Sequence, residues 1–311
     1  MSTQTRPRRD QRSWVAEHPV TAFTGLALTG AYVVGAVMVL IDRSVIPGRA
    51  LASRLGFGME ETASLALVVV LATTTLFVTG LSDGRAGIST LLRRTTRWRV
   101  GWRWWAVAVA ALPLLTIALS ITLGDELVRP APGTLAREAL ATVVALLMIN
   151  VAEELSWAGF LQTRLERRHN LLVAAVITAI PFALVHVPIR VIAGDISGID
   201  DVLPQILMLL VLCVLIRTLL GAVLRGAANS VLLVAMMHTS FNRSNNVDGL
   251  AADVLRGEAR TLAALIAALL VTAALIVTIR RRLGRAERAR FDEVEEFRSE
   301  PSGRITSGAQ L

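Results

Sequence analysis

Two adjacent carboxylates, Glu153 and Glu154, stand in the stretch 150–160 (Asn-Val-Ala-Glu-Glu-Leu-Ser-Trp-Ala-Gly-Phe), directly after the apolar run 139–149. A charged side chain at the centre of a membrane helix costs about 2.5–3.5 kcal/mol on insertion scales, so two of them need partners. Candidates lie downstream, also within apolar segments: His186, His238 and Asn242. Residues four apart share a helix face, which stacks His238 with Asn242 and Phe182 with His186. Glu153 and Glu154 instead project about 100° apart, so one can face a bundle centre while the other turns to a neighbouring helix. Pro181 and Pro188 bracket His186, and proline in a membrane helix bends it or frees carbonyls around a cavity. The chemistry this set offers is hydrolysis. A carboxylate withheld from bulk water is a better base than a solvated one. With His186 it could hold and deprotonate a water for attack on a peptide carbonyl. Asn242 and His238 could then supply the donors for the resulting oxyanion.

In order along the chain, Glu153-Glu154 with Trp157, Gly159 and Phe160, then Phe182-x-x-x-His186, then His238-x-x-x-Asn242 resembles the CAAX protease and bacteriocin-processing (CPBP, or Abi) family of intramembrane proteases. The resemblance runs from about residue 91 to residue 242. Each motif alone is weak; three in order, each on a membrane helix, are a fairly specific signal. The resemblance implies Glu153 as catalytic base, His186 as its water-binding partner, His238 with Asn242 as the oxyanion site and Glu154 as a supporting carboxylate. One position departs. The family pattern is Glu-Glu-x-x-x-Arg, and Ala158 stands in the place of that arginine. There it could neutralise the second glutamate through an i, i+4 pair. Without it Glu154 is either protonated or paired with an arginine from elsewhere, Arg217 being one candidate. Glu, His and His could in principle form a zinc site, and members of this family have often been described as metalloproteases. The motifs lack the HExxH spacing, however. The resemblance favours a glutamate-activated water with no cofactor, a divalent metal such as zinc being the less favoured alternative.

The elements that must position these groups are membrane helices. With 54% hydrophobic residues and a mean hydropathy of +0.59 over 311 residues, the chain is too apolar for an ordinary soluble domain. Its net charge is +8 and every basic residue is arginine. These arginines sit between apolar runs rather than along one stripe, which points to an anionic lipid surface and away from nucleic acid. Apolar runs recur at about 21–41, 63–81, 104–123, 139–157, 171–188, 203–220, 228–242 and 261–279. The fold class is therefore all-α, a polytopic bundle of about eight transmembrane helices with a polar intramembrane site. The short seventh run needs flanking residues or a buried position. No alternating pattern suggests a membrane barrel. The run 21–41 exceeds a signal-peptide core and reads as a retained helix. The domain reading is a cytoplasmic segment 1–20, a helical domain 21–283 with its family-like core at about 91–242, and a disordered cytoplasmic tail 284–311. With the N-terminus inside, 23 arginines fall on the inner side and nine on the outer, which puts both termini in the cytoplasm of a cell-membrane protein. Arg and Trp interleave over 91–105, an interfacial pattern read as an amphipathic lead-in to the third helix.

Other polar residues read as framework. His18 and His169 lie in terminal and loop contexts; Asn150 either lines the site or adds packing polarity; Trp157 and Phe160 pack. Asp195, Asp200 and Asp201 belong to a solvated outer loop. Cys213, the only cysteine, is an apolar packing residue. The function expected is an intramembrane endopeptidase. Its partners are a membrane-associated peptide or protein substrate and the lipid bilayer. A non-catalytic relative with a bacteriocin-immunity or scaffold role is the main alternative. A proton-coupled transporter ranks below it, since no paired halves with matching broken helices are found.

Overall fold

The computed structural model describes residues 14–54 and 58–299. The arginine-rich start of the expected N-terminal segment lies outside the described residues. Eight long helices follow in order: α1 (Pro19–Asp42), α2 (Met59–Thr95), α3 (Trp102–Thr122), α4 (Thr134–Leu165), α5 (Leu171–Ala193), α6 (Ile199–Gly226), α7 (Val231–Asn245) and α8 (Arg260–Ser299). Among the described residues, seven helices are long and apolar enough to cross a membrane, and α7 is not one of them. Its 15 residues reach about 22 Å at 1.5 Å per residue, short of a hydrocarbon core of about 30 Å. The seventh run is thus a short helix sunk in the bundle, with Leu233, Val234, Ala235 and Met237 fully buried. The chain is a multi-pass membrane protein. The sole sheet among the described residues is a two-residue antiparallel pair, β1 (Glu126–Leu127) with β2 (Leu255–Arg256), tying the α3–α4 loop to the α7–α8 loop.

Packing divides into two apolar clusters. One joins α3, α6, α7 and α8 around Leu112, Leu219, Met237 and Ala267. The other joins α1, α2, α4 and α5 around Phe23, Leu71, Trp157 and Phe182. Lipid is as apolar as leucine, so helices in it associate through small residues and close backbone approach. Ala22, Ala27 and Ala31 on α1 and Ala263, Ala264, Ala267 and Ala268 on α8 are buried in this way. Leucines and valines such as Val69, Leu114, Leu147 and Val211 remain exposed on the bundle's outer surface, where acyl chains would cover them.

Two helices are irregular where it matters. α2 breaks at Gly84, whose φ of 66° only glycine adopts cheaply, separating the spanning part from an arginine-rich end. α4 carries wide π turns at Leu146–Asn150 and Leu155–Gln162 on either side of the α-helical turn Val151–Glu154. Such turns leave carbonyls to satisfy. Arg94 donates to the Gly159 carbonyl (2.8 Å), and Thr163 Oγ1 donates to that of Ala158 (2.7 Å). At the other end of the chain, helical backbone continues past Gly284 to Ser299, and residues 300–311 of the expected tail lie outside the described residues.

The contact that seats α5 on α1 is Gly35 against Pro188, two residues beyond His186. A Cβ on Gly35 would stand 2.3 Å from the Pro188 Cβ. Gly35→Ile should therefore overpack this seam and cost about 1–3 kcal/mol, read as a lower thermal-unfolding midpoint in detergent. An unchanged midpoint would show that the seam yields.

Candidate active site

The polar residues gather at the seam between the two clusters. Glu153 and Glu154 come from the α-helical turn of α4 and are both buried. His186 comes from the proline-bracketed part of α5. His238 and Asn242 come from the buried helix α7. Glu153, His186, His238 and Asn242 line one cavity of about 1050 Å³, together with Asn150 and Phe182. The five expected site residues therefore converge from three helices. The two glutamates divide, as their angular offset requires: Glu153 faces the cavity and Glu154 turns into protein.

Each imidazole is fixed by a different partner. His186 Nδ1 lies 2.6 Å from the Phe182 carbonyl. A carbonyl only accepts, so Nδ1 carries the proton and Nε2 presents a lone pair. That Nε2 stands 3.6 Å from Glu153 Oε1, too far for a direct hydrogen bond. His238 Nδ1 lies 2.9 Å from Glu154 Oε1 and 3.7 Å from Glu153 Oε2. Its hydrogen bond goes to the second glutamate. With Nδ1 donating there, Nε2 of a neutral ring is an acceptor, and it donates to an oxyanion only in the imidazolium form. The Asn242 amide needs no such condition. Phe182 is the wedge that orders the rings, with centroids 4.9 Å from His186, 6.1 Å from His238 and 5.4 Å from Trp157.

Glu154 is not left alone. Arg217 of α6, fully buried, places Nη1 at 2.8 and 2.9 Å from the two oxygens of Glu154, and Nη2 at 2.9 Å from Gln162 Oε1. Gln162 donates in turn to the Arg217 carbonyl and to Glu166 (both 3.2 Å), and Arg225 closes the chain on Glu166 at 2.7 Å. A hydrogen-bonded line thus runs from His238 to the bundle end. Gly221 makes room for it, since a Cβ there would lie 2.0 Å from Gln162 Nε2. The guanidinium missing at Ala158 is supplied from another helix. The sequence reading offered Arg217 only as one candidate among arginines elsewhere and missed Gln162, whose only signal is its position two turns after Glu154.

Asn150, fully buried, donates to Thr239 Oγ1 at 2.7 Å and so ties α4 to α7, while its Oδ1 has no partner among the described residues. Thr75 of α2 donates to Ser156 at 2.7 Å. Among the described residues no three His, Cys, Asp or Glu side chains are arranged to hold a metal ion. The two histidines engage Phe182 and Glu154 through their Nδ1 atoms. The arginine-rich lead-in behaves in two ways. Trp98 and Trp102 are exposed beneath Arg99 and Arg103, at 5.2 and 5.9 Å from guanidinium to ring. Arg94 and Arg97 point inward and hold the carbonyls of Asn229 and Ala228 in the α6–α7 turn.

Architecture and site together define a polytopic helical membrane protein with a glutamate–histidine centre buried inside the bundle. Residues 135–244 match the family model Rce1-like, described as Type II CAAX prenyl endopeptidase Rce1-like. The match covers α4 to α7 and every residue of the centre, and the CPBP-family resemblance holds over that stretch; the lead-in from residue 91 precedes it. No curated protein matches the chain.

Arg217→Leu should strand Glu154 as a buried, unpaired charge and cost about 3–5 kcal/mol, seen as a lower unfolding midpoint in detergent. Adding Ala158→Arg to that variant returns the guanidinium one turn from Glu154 and should recover much of the loss. A double variant no more stable than Arg217→Leu would refute the equivalence of the two positions.

Proposed function

We propose that the protein is an intramembrane endopeptidase in which Glu153 activates a water for hydrolysis of a peptide bond in a membrane-associated peptide or protein. The observation that carries this reading is the 3.6 Å gap between Glu153 Oε1 and His186 Nε2 on the wall of a cavity. Both atoms are acceptors. A water seated against them donates one hydrogen to each and turns its oxygen lone pair outward, toward a substrate carbonyl. Glu153 takes the proton as the oxygen attacks carbon. The tetrahedral oxyanion is met by the Asn242 amide, aided by His238 when both its ring nitrogens carry protons. The C–N bond then breaks, and the proton held on Glu153 passes to the leaving amine.

The second glutamate has a different task. Glu154, anchored by Arg217, holds His238 by Nδ1 and so aims the other edge of that ring. The departure at Ala158, which would favour a non-catalytic relative, loses its weight because Arg217 restores the charge balance. Both termini are assigned to the cytoplasmic side of the cell membrane on the arginine bias.

Glu153→Gln and His186→Ala should each lower cleavage of a fluorogenic membrane-anchored peptide library in liposomes by at least about 100-fold. Unfolding midpoints should stay near that of the parent chain. Turnover unchanged in Glu153→Gln would end the peptidase reading, and biological activity retained in that variant would select the non-catalytic one.

A further inference from the structure

We infer that the site is served from the extracytoplasmic side, by a peptide strand exposed at, or just within, the outer leaflet. What happens to the strand rests on the peptidase reading above; the side on which it arrives does not. Two separate observations support that side.

The first is the shape of the cavity. Its rim is built by Asp42, Arg49, Glu60, Arg190, Asp248 and Arg260, from the α1–α2, α5–α6 and α7–α8 ends of the bundle. None of the residues at the opposite end (Arg94, Arg97, Arg164, Arg225 or the α6–α7 turn) lines it. On that side the floor beneath Glu153 is closed by fully buried Glu154, Arg217 and Gln162. Beyond them Arg94 and Arg97 clamp the backbone. The cavity is also bordered by Val144 and Met148 of α4, which are 42% and 54% exposed. The mouth therefore meets acyl chains along one wall and water above, which suits a strand with an apolar flank.

The second is charge. With Arg217 found inside the bundle, 13 arginines among the described residues (in 85–103, 164–168, 225 and 280–282) lie at the end that closes the site and nine at the end that opens it. Four of the nine at the open end are taken up in ion pairs (Arg49 with Asp42, Arg137 with Asp253, Arg190 with Asp195, Arg243 with Glu138), against two at the closed end, Arg164 with Asp83 and Arg225 with Glu166. At the closed end Arg99 and Arg103 lie with exposed tryptophans in a headgroup-like belt. Arginine excess marks the cytoplasmic face. The mouth belongs to the other one.

Labelling of one introduced cysteine at a time tests this without reference to catalysis. Val247 lies on the rim and is 86% exposed, and His169 is exposed at the opposite end. Buried Cys213 is the background thiol, read from the parent chain. With a membrane-impermeant sulfonated maleimide, Val247→Cys should label in intact cells as fully as after permeabilisation, and His169→Cys only after it. The reverse pattern, or equal labelling of both in intact cells, overturns the inference. A companion measurement adds the fluorogenic peptide library to either face of vesicles whose orientation the label has fixed. Cleavage confined to the Val247 face supports the substrate class, and cleavage confined to the His169 face refutes it. Absence of cleavage from both faces, with labelling as expected, refutes the peptidase reading and with it the substrate, while the orientation stands.

Discussion

The ion pair between Glu154 and Arg217, with both side chains wholly excluded from solvent, is the constraint on which the centre depends. A carboxylate and a guanidinium brought out of water lose solvation that their attraction recovers only with close geometry and further hydrogen bonds. Those conditions are met here. Both oxygens of Glu154 are engaged by Nη1, one of them also accepts the Nδ1–H hydrogen bond of His238, and Nη2 is held by Gln162. Because that acid is committed to structure, its neighbour is left to face the cavity. Two identical residues side by side thus acquire different duties from their surroundings alone.

The irregular geometry of α4 follows from the same demand. A regular helix would carry Glu153 and Glu154 past α6 and α7 at a fixed pitch. Widened turns on either side of them reset that pitch locally, and the released carbonyls are taken up by Arg94 and Thr163. The guanidinium of Arg94 therefore serves the interior of the bundle from its end. Phe182 has a comparable role on α5. Its carbonyl sets the proton position on His186, and its ring fills the angle between the two histidines and Arg217.

Much of this was legible in the residue order, and the parts that were not have physical reasons. Spacing by four placed His238 with Asn242, and the offset between adjacent residues assigned the two glutamates to different surroundings. Apolar run length identified the spanning helices but did not separate α7 from them, because burial in protein and burial in lipid select the same side chains. The partner of Glu154 stood among several arginines, since 63 positions of chain carry no periodic signal. Gln162 had none beyond its place two turns after Glu154. The lead-in presented another ambiguity: arginines that snorkel to headgroups and arginines that hold carbonyls look alike until their neighbours are known. Arg99 is of the first kind and Arg97 of the second.

The separation of Glu154 from Arg217 bears on how the protein is made. At about 5–20 residues per second, α4 leaves the ribosome roughly 3–13 s before its counter-charge on α6. For that interval the acidic turn has no guanidinium of its own to meet, so α4 either enters hydrocarbon with Glu154 protonated or stays at the insertion machinery or near the headgroups. Assembly is then ordered by electrostatics: α6 arrives, the charges join, and only afterwards can α7 close over them with His238.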